Sequence, residues 1–244
     1  MASSVESEKV SQERPKIAPQ RFFVAGTDTD VGKTLVSCGL LLAAGQRGLA
    51  TAGLKPIAAG CVETAEGLRN DDALALQNSA NTTLSYQQIN PVAFATPIAP
   101  HIAAQQQGRR LSADRLVGFC RGVLMQKYDV TIVEGAGGWR VPLNRQETLA
   151  DVAKALSLPV IMVVGVRLGC INHALLTAEA IAADGLPLAG WVSSHVDPAM
   201  ANYDENIVAL EELIRAPCLG HIPFVNNIQP IDIQKYVNID KLLG

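Results

Sequence analysis

The stretch Gly26-Thr-Asp-Thr-Asp-Val-Gly32-Lys33-Thr34 constrains this chain more than any other. It directly follows the apolar run Phe-Phe-Val-Ala at 22–25 and opens a segment of helical periodicity. Glycines let backbone N–H groups curl around phosphate oxygens, and a helix N-terminus adds a favourable dipole. In that arrangement Lys33 neutralises β- and γ-phosphates, and the Thr34 hydroxyl suits Mg2+. Five residues separate the glycines where the common pattern has four, so the loop is a longer variant. The plain alternative is a turn in which Asp and Thr side chains cap a helix.

The rest of the chain alternates short, continuous apolar runs with helical segments, as strands buried on both faces of a parallel sheet require. This pattern predicts strands at 22–25, 51–54, 130–134, 160–165, 188–193 and 218–222. It predicts helices at 33–44, 71–78, 112–126, 149–156, 172–183 and 202–214. Residues 81–110, rich in Pro, Gln and Ala, read as an irregular excursion with one short helix. The expected fold is a single α/β domain over residues 21–244, a P-loop NTPase-type parallel β-sheet with helices on both faces. With 48% apolar and 18% charged residues, the 244-residue chain can bury a sizeable core.

Ligands of such a sheet bind beyond the carboxyl ends of its strands, and two further motifs fall there. Glu134-Gly-Ala-Gly-Gly-Trp139 follows an apolar strand. It offers a carboxylate for Mg2+ or its water and glycines that admit a nucleotide. Alone it also fits an ordinary Gly-rich turn. Lys55-Pro56 follows the segment at 51–54, with Asp71 and Asp72 beyond. A lysine there can stabilise developing negative charge and an aspartate can complete an oxygen-rich metal site. Alone, these are a solvated loop lysine and a helix start.

A net charge of −3 provides no field to attract nucleic acid or an anionic membrane. The longest apolar runs are too short to span a bilayer. The first twenty residues lack the apolar core of a signal peptide and carry Glu6, Glu8 and Glu13, against a transit peptide. They read as a disordered tail. Five cysteines, odd in number and widely spaced, predict neither a disulfide framework nor a structural zinc site. They read as small buried hydrophobes in a reducing, cytoplasmic compartment. The four histidines are scattered and read as structural or surface residues.

Taken together, GTDTDVGKT, AGLKPIAAG, EGLRNDDALALQ, VEGAGGW, LPVIMVVGVRLGCINHALLTAEAI and LAGWV resemble the dethiobiotin synthetase family from about residue 21 onward. The resemblance implies a homodimeric, Mg2+-dependent cyclo-ligase of biotin biosynthesis that makes dethiobiotin from 7,8-diaminononanoate, CO2 and ATP. One amine takes up CO2 as a carbamate, the γ-phosphoryl group activates it as a carbamic-phosphoric anhydride, and the second amine closes a cyclic urea. Such a path needs charge neutralisation and positioning more than covalent help.

Position by position, the resemblance assigns catalysis to Lys33, Lys55 and Thr29, and the metal to Thr34, Asp72 and Glu134. It assigns nucleotide contacts to Asp30, Val31, Gly32, Lys33, Thr34, Leu35, Asp72, Glu134, Gly135, Ala136, Gly137, Ser194, His195, Pro223, Phe224 and Val225. Substrate contacts fall to Thr29, Lys55, Ala59, Gly137 and Asn172. The segment at 168–172 resembles the part that reaches across the dimer to the substrate's distal carboxylate. Three departures stand out: Ala59 replaces a serine, Ser194-His195 stands where an asparagine commonly reads the purine, and Asp30 replaces Glu. A nucleotide-switched ATPase acting as a partner- or surface-binding module is the rival reading. Thr27, Asp28 and Thr29 stand where that class carries a second lysine. A GTP-dependent binding module lacks its Asn-Lys-x-Asp motif here, and a glutamine-dependent synthetase lacks its second domain.

Overall fold

Neighbouring side chains on a strand point to opposite faces, and the first strand of this protein buries both. In the computed structural model, which describes residues 17–226 and 229–243, β1 (Gln20–Gly26) sends Phe22 and Val24 into one core cluster and Phe23 and Ala25 into another. β1 leads into α1 (Lys33–Gln46) and then β2 (Thr51–Leu54). The chain next leaves the sheet through β3 (Ile57–Ala58), β4 (Val62–Thr64), β5 (Gly67–Arg69), α2 (Asp71–Ser79), α3 (Tyr86–Ile89), β6 (Val92–Ala93) and α4 (Pro100–Gln106).

Alternation resumes with α5 (Ala113–Leu124), β7 (Val130–Glu134), α6 (Leu149–Leu156), β8 (Val160–Val166), α7 (Cys170–Ala183), β9 (Leu188–His195), α8 (Tyr203–Leu213) and β10 (Cys218–Ile222). Two short helices follow, α9 (Pro230–Ile233) and α10 (Asp240–Leu243). Six strands form one parallel sheet in the order β10-β9-β8-β1-β7-β2. In β8 all seven residues are buried, which is why the apolar run is continuous.

Strands β2, β7 and β10 and helix α6 begin and end where the sequence pattern places them. The excursion at 81–110 is a correction: it carries two short helices and a two-residue strand rather than one helix. Its order comes from backbone pairing to distant residues. Lys55 N donates to Ile89 O (2.9 Å), Phe94 N donates to Ala58 O (2.9 Å), and Asn90 Nδ2 donates to Lys55 O (2.6 Å). Ser85 and Gln88 close a capping box on α3, and Pro100 opens α4. Residues 1–16 of the expected tail lie outside the described residues, and Ile17 already packs against the core. No helix among the described residues is long and apolar enough to cross a membrane.

Candidate active site

The loop after β1 turns into α1 through Gly32, whose φ of 88° lies in the left-handed region. A Cβ there would stand 2.9 Å from the Ser194 hydroxyl, so glycine is required on both counts. No side chain caps α1. The capping alternative for the Asp and Thr residues therefore fails, and the first-turn N–H groups remain free for an anion. Asp30 also holds a positive φ, 55°. Val31 is buried and wedges its side chain beneath Gly26 and Gly165, fixing the loop to the sheet.

Lys33 is buried, and its ammonium donates to Asp28 O at 3.0 Å. Burial, reinforced by the Lys55 charge, lowers its pKa from 10.5 to about 8. Thr34 Oγ1 donates to Glu134 Oε1 at 2.8 Å. Glu134 ends β7 and is fully buried. Lys55 leaves β2 and gives all three ammonium hydrogens to protein: Glu134 Oε1 at 2.7 Å, Asp72 Oδ2 at 2.9 Å and Gly135 O at 3.1 Å. Burial works to lower the Lys55 pKa, but the Glu134 and Asp72 carboxylates outweigh it and the net shift is upward. Burial likewise works to raise the Asp72 pKa, and Lys55 reverses it, so the carboxylate stays ionised.

These groups converge on a cavity of about 840 Å³. Thr29, Asp30, Gly32, Lys33, Thr34, Leu35, Lys55, Ala59, Asp72, Ala136 and Gly137 line it, with Glu134 buried beneath. A Cβ on Gly135 would press against the Phe23 ring at 3.1 Å, and Gly137 needs a positive φ of 64°. Trp139 has a packing role, its ring edge-on to Phe23 and its Nε1 donating to Asp184 at 2.8 Å. Glu134 Oε2 is buried without a hydrogen-bond partner. That orphaned oxygen, with the Thr34 hydroxyl and the Asp72 carboxylate, makes a hard, all-oxygen donor set that fits Mg2+.

Ser194 adjoins the cavity through Gly32. His195 stacks on Tyr203 with ring centres 4.1 Å apart, and its Nε2 meets Asp197 O at 2.9 Å. Phe224 stands edge-on to His195, and Pro223 and Val225 flank it beyond β10. These five, two at the end of β9 and three beyond β10, do not line the cavity. Asn172 is not brought to it either: it is exposed on the first turn of α7, whose N-terminus at Gly169 also lacks a side-chain cap.

A family model described as an AAA domain matches residues 20–232. The ATP-dependent dethiobiotin synthetase BioD of Cellvibrio japonicus is 62% identical over 207 residues, which are 85% of this chain and 90% of that protein. The protein of the same name from Pseudomonas aeruginosa strain UCBPP-PA14 is 55% identical over 221 residues, 91% of this chain and 97% of its own. This chain belongs to the dethiobiotin synthetase family.

Among solved structures, a ParA family ATPase from Chlorobium tepidum covers 93% of this synthetase-family chain and 97% of its own, at TM-score 0.53 and 13% identity. The signal recognition particle receptor FtsY of Elizabethkingia anophelis in complex with GDP also reaches 0.53, at 15% identity, covering 96% of this chain and 64% of its own. At such identities the likeness is one of fold alone. Sequence reasoning missed part of the synthetase-like cavity. Asn70, nearly buried, caps α2 through Ala73 N (3.2 Å), and Pro97, Ile98, Ala99 and Pro100 build an apolar wall. The only signal for that wall was the Thr-Pro-Ile-Ala-Pro run, which reads equally as an ordinary loop.

Proposed function

We infer that this chain is an ATP-dependent dethiobiotin synthetase, which joins CO2 to the two amines of 7,8-diaminononanoate and releases ADP and phosphate. One observation carries this reading. The ends of β1, β2 and β7 and the start of α2 bring Thr34, Lys55, Glu134 and Asp72 into one bonded network, with Lys33 beside it, at the floor of a single cavity.

The residue roles follow from that network. Free N–H groups at the start of α1 and the Lys33 ammonium bind the triphosphate. Thr34, Asp72 and Glu134 hold Mg2+, which supplies positive charge to the phosphate oxygens. Lys55 releases one of its three protein contacts to meet the carbamate oxygen and then the transferring phosphoryl oxygens. Thr29, at the cavity rim, positions the amine that bears the carbamate. The apolar wall at 97–100 suits the substrate's methylene chain, and Ala59 leaves room without adding a hydroxyl contact. Ser194, His195, Pro223, Phe224 and Val225 border the nucleotide base.

Asn172 and the uncapped start of α7 serve the cavity of a second copy, where they meet the distal carboxylate. Leu168 and Leu176, 92% and 56% exposed, give that face its apolar contacts, which supports a homodimer. Five cysteines without a disulfide support the reading of a reducing, cytoplasmic compartment. The test combines purified protein, the diamine, bicarbonate, Mg2+ and ATP, with mass spectrometry for the cyclic urea. Dethiobiotin is expected from the native chain and none from Lys33→Ala or Lys55→Ala. ATP hydrolysis indifferent to the diamine would instead favour a nucleotide switch. Parallel assays with CTP and GTP measure the base preference set around Ser194.

A further inference from the structure

At the β10 edge of the sheet, away from the cavity, three side chains from two elements point at one spot. Cys218 begins β10, His221 lies three residues on, and Glu211 comes from α8. One candidate ligand atom from each lies within 4.8 Å of the other two. Cys218 Sγ is 3.5 Å from His221 Nε2, and His221 Nε2 is 3.3 Å from Glu211 Oε1. A tetrahedral ion bonded at ~2.3 Å to sulfur and ~2.0 Å to nitrogen and oxygen sets S···N near ~3.5 Å and N···O near ~3.3 Å. Both observed separations are the edges of that tetrahedron.

The surroundings are also those of a ligand set. His221 Nδ1 lies 2.8 Å from Ser193 Oγ on β9. With Nε2 on a metal, Nδ1 carries the hydrogen and donates it to Ser193, which fixes the ring. Lys241 Nζ donates to Cys218 O at 2.6 Å, holding the cysteine backbone from α10. The His221 and Glu211 side chains are 39% and 47% exposed, so an ion can enter from solvent. A mixed sulfur, nitrogen and oxygen set favours zinc-class ions over Mg2+.

We propose that Glu211, Cys218 and His221 bind one divalent transition-metal ion of the zinc class, with water in the fourth position. On binding, the Cys218 thiol gives its proton to solvent and the sulfur takes the metal. The ion ties α8 to β10, just ahead of Pro223. The site is independent of the dethiobiotin reading.

Chelator-treated full-length protein, saturated with Mg2+ to fill the all-oxygen site, is titrated with Co2+ as a spectroscopic stand-in for zinc. One equivalent should saturate a near-ultraviolet thiolate-to-cobalt band, and Zn2+ should bleach it. Cys218→Ser should abolish the band, His221→Gln should weaken binding at least tenfold, and Ser193→Ala, which keeps all three ligands, about tenfold. Circular dichroism confirms that each variant is folded. The other four cysteines are buried and should give no band. No band in the native protein, or an equal band in folded Cys218→Ser, overturns the site.

Discussion

Lys55 sits at the centre of the site's electrostatics. It is held by two carboxylates and a carbonyl at 3% exposure, and Glu134 has no solvent to fall back on. Removing one member of a buried pair costs about 3–5 kcal/mol because the other charge is stranded. Lys55→Met should therefore lower the melting temperature sharply. Lys55→Met with Glu134→Gln should restore most of it while leaving no synthesis of product. A double variant as unstable as the single one would show that the pair is not the source. Lys33 makes a different prediction. In the free protein its pKa is lowered to about 8, so above that pH it is largely neutral and, in its proposed role, must regain a proton on meeting the triphosphate. ATP affinity should fall as pH rises through 8, and calorimetry in buffers of different ionisation enthalpy should detect proton uptake on binding above that pH. Lys33→Gln should bind ATP weakly and without this pH dependence.

At the scale of elements, β2 and the helices over it show how closely the site is supported. A Cβ on Gly53 would lie 2.9 Å from Leu41 on α1 and 3.1 Å from Leu76 on α2. Gly53→Ala turns the Leu41 δ-methyl aside and presses α2 at the Leu76 Cβ, at a cost of about 1–3 kcal/mol. Because α2 carries Asp72, the same pressure shifts a carboxylate that the proposed function assigns to the Mg2+ of the triphosphate. The variant should show a higher KM for ATP along with its lower denaturation midpoint. Elements were legible where one local signal sufficed. The buried strands betray themselves as continuous apolar runs, and Asn70 marks the start of α2. The excursion at 81–110 was not, because its first short helix and its strand are held by hydrogen bonds to Lys55 and Ala58, with Asn90 and Lys55 35 residues apart.

For the molecule as a whole, the proposed dimer rests on the exposed Leu168, just before α7, and Leu176 within it. Light scattering should give a dimer, and Leu176→Glu should yield a monomer that binds ATP but has a raised KM for the diamine, since the proposed reach of Asn172 into a neighbouring cavity would be lost. What the sequence determined alone was local: the phosphate loop, the runs that become buried strands, and the identities of the lysines and acids, each signalled within about ten residues. Tertiary structure decided what those groups meet. Lys55 and Glu134, 79 positions apart, share a bond because β2 and β7 are neighbours in the sheet. Cys218 and His221 stand three residues apart in the sequence, but nothing there says that Glu211 joins them, since the sequence does not say which helix covers the β10 edge. Pairing between distant segments is set by packing of whole faces, and no short stretch of residues encodes it.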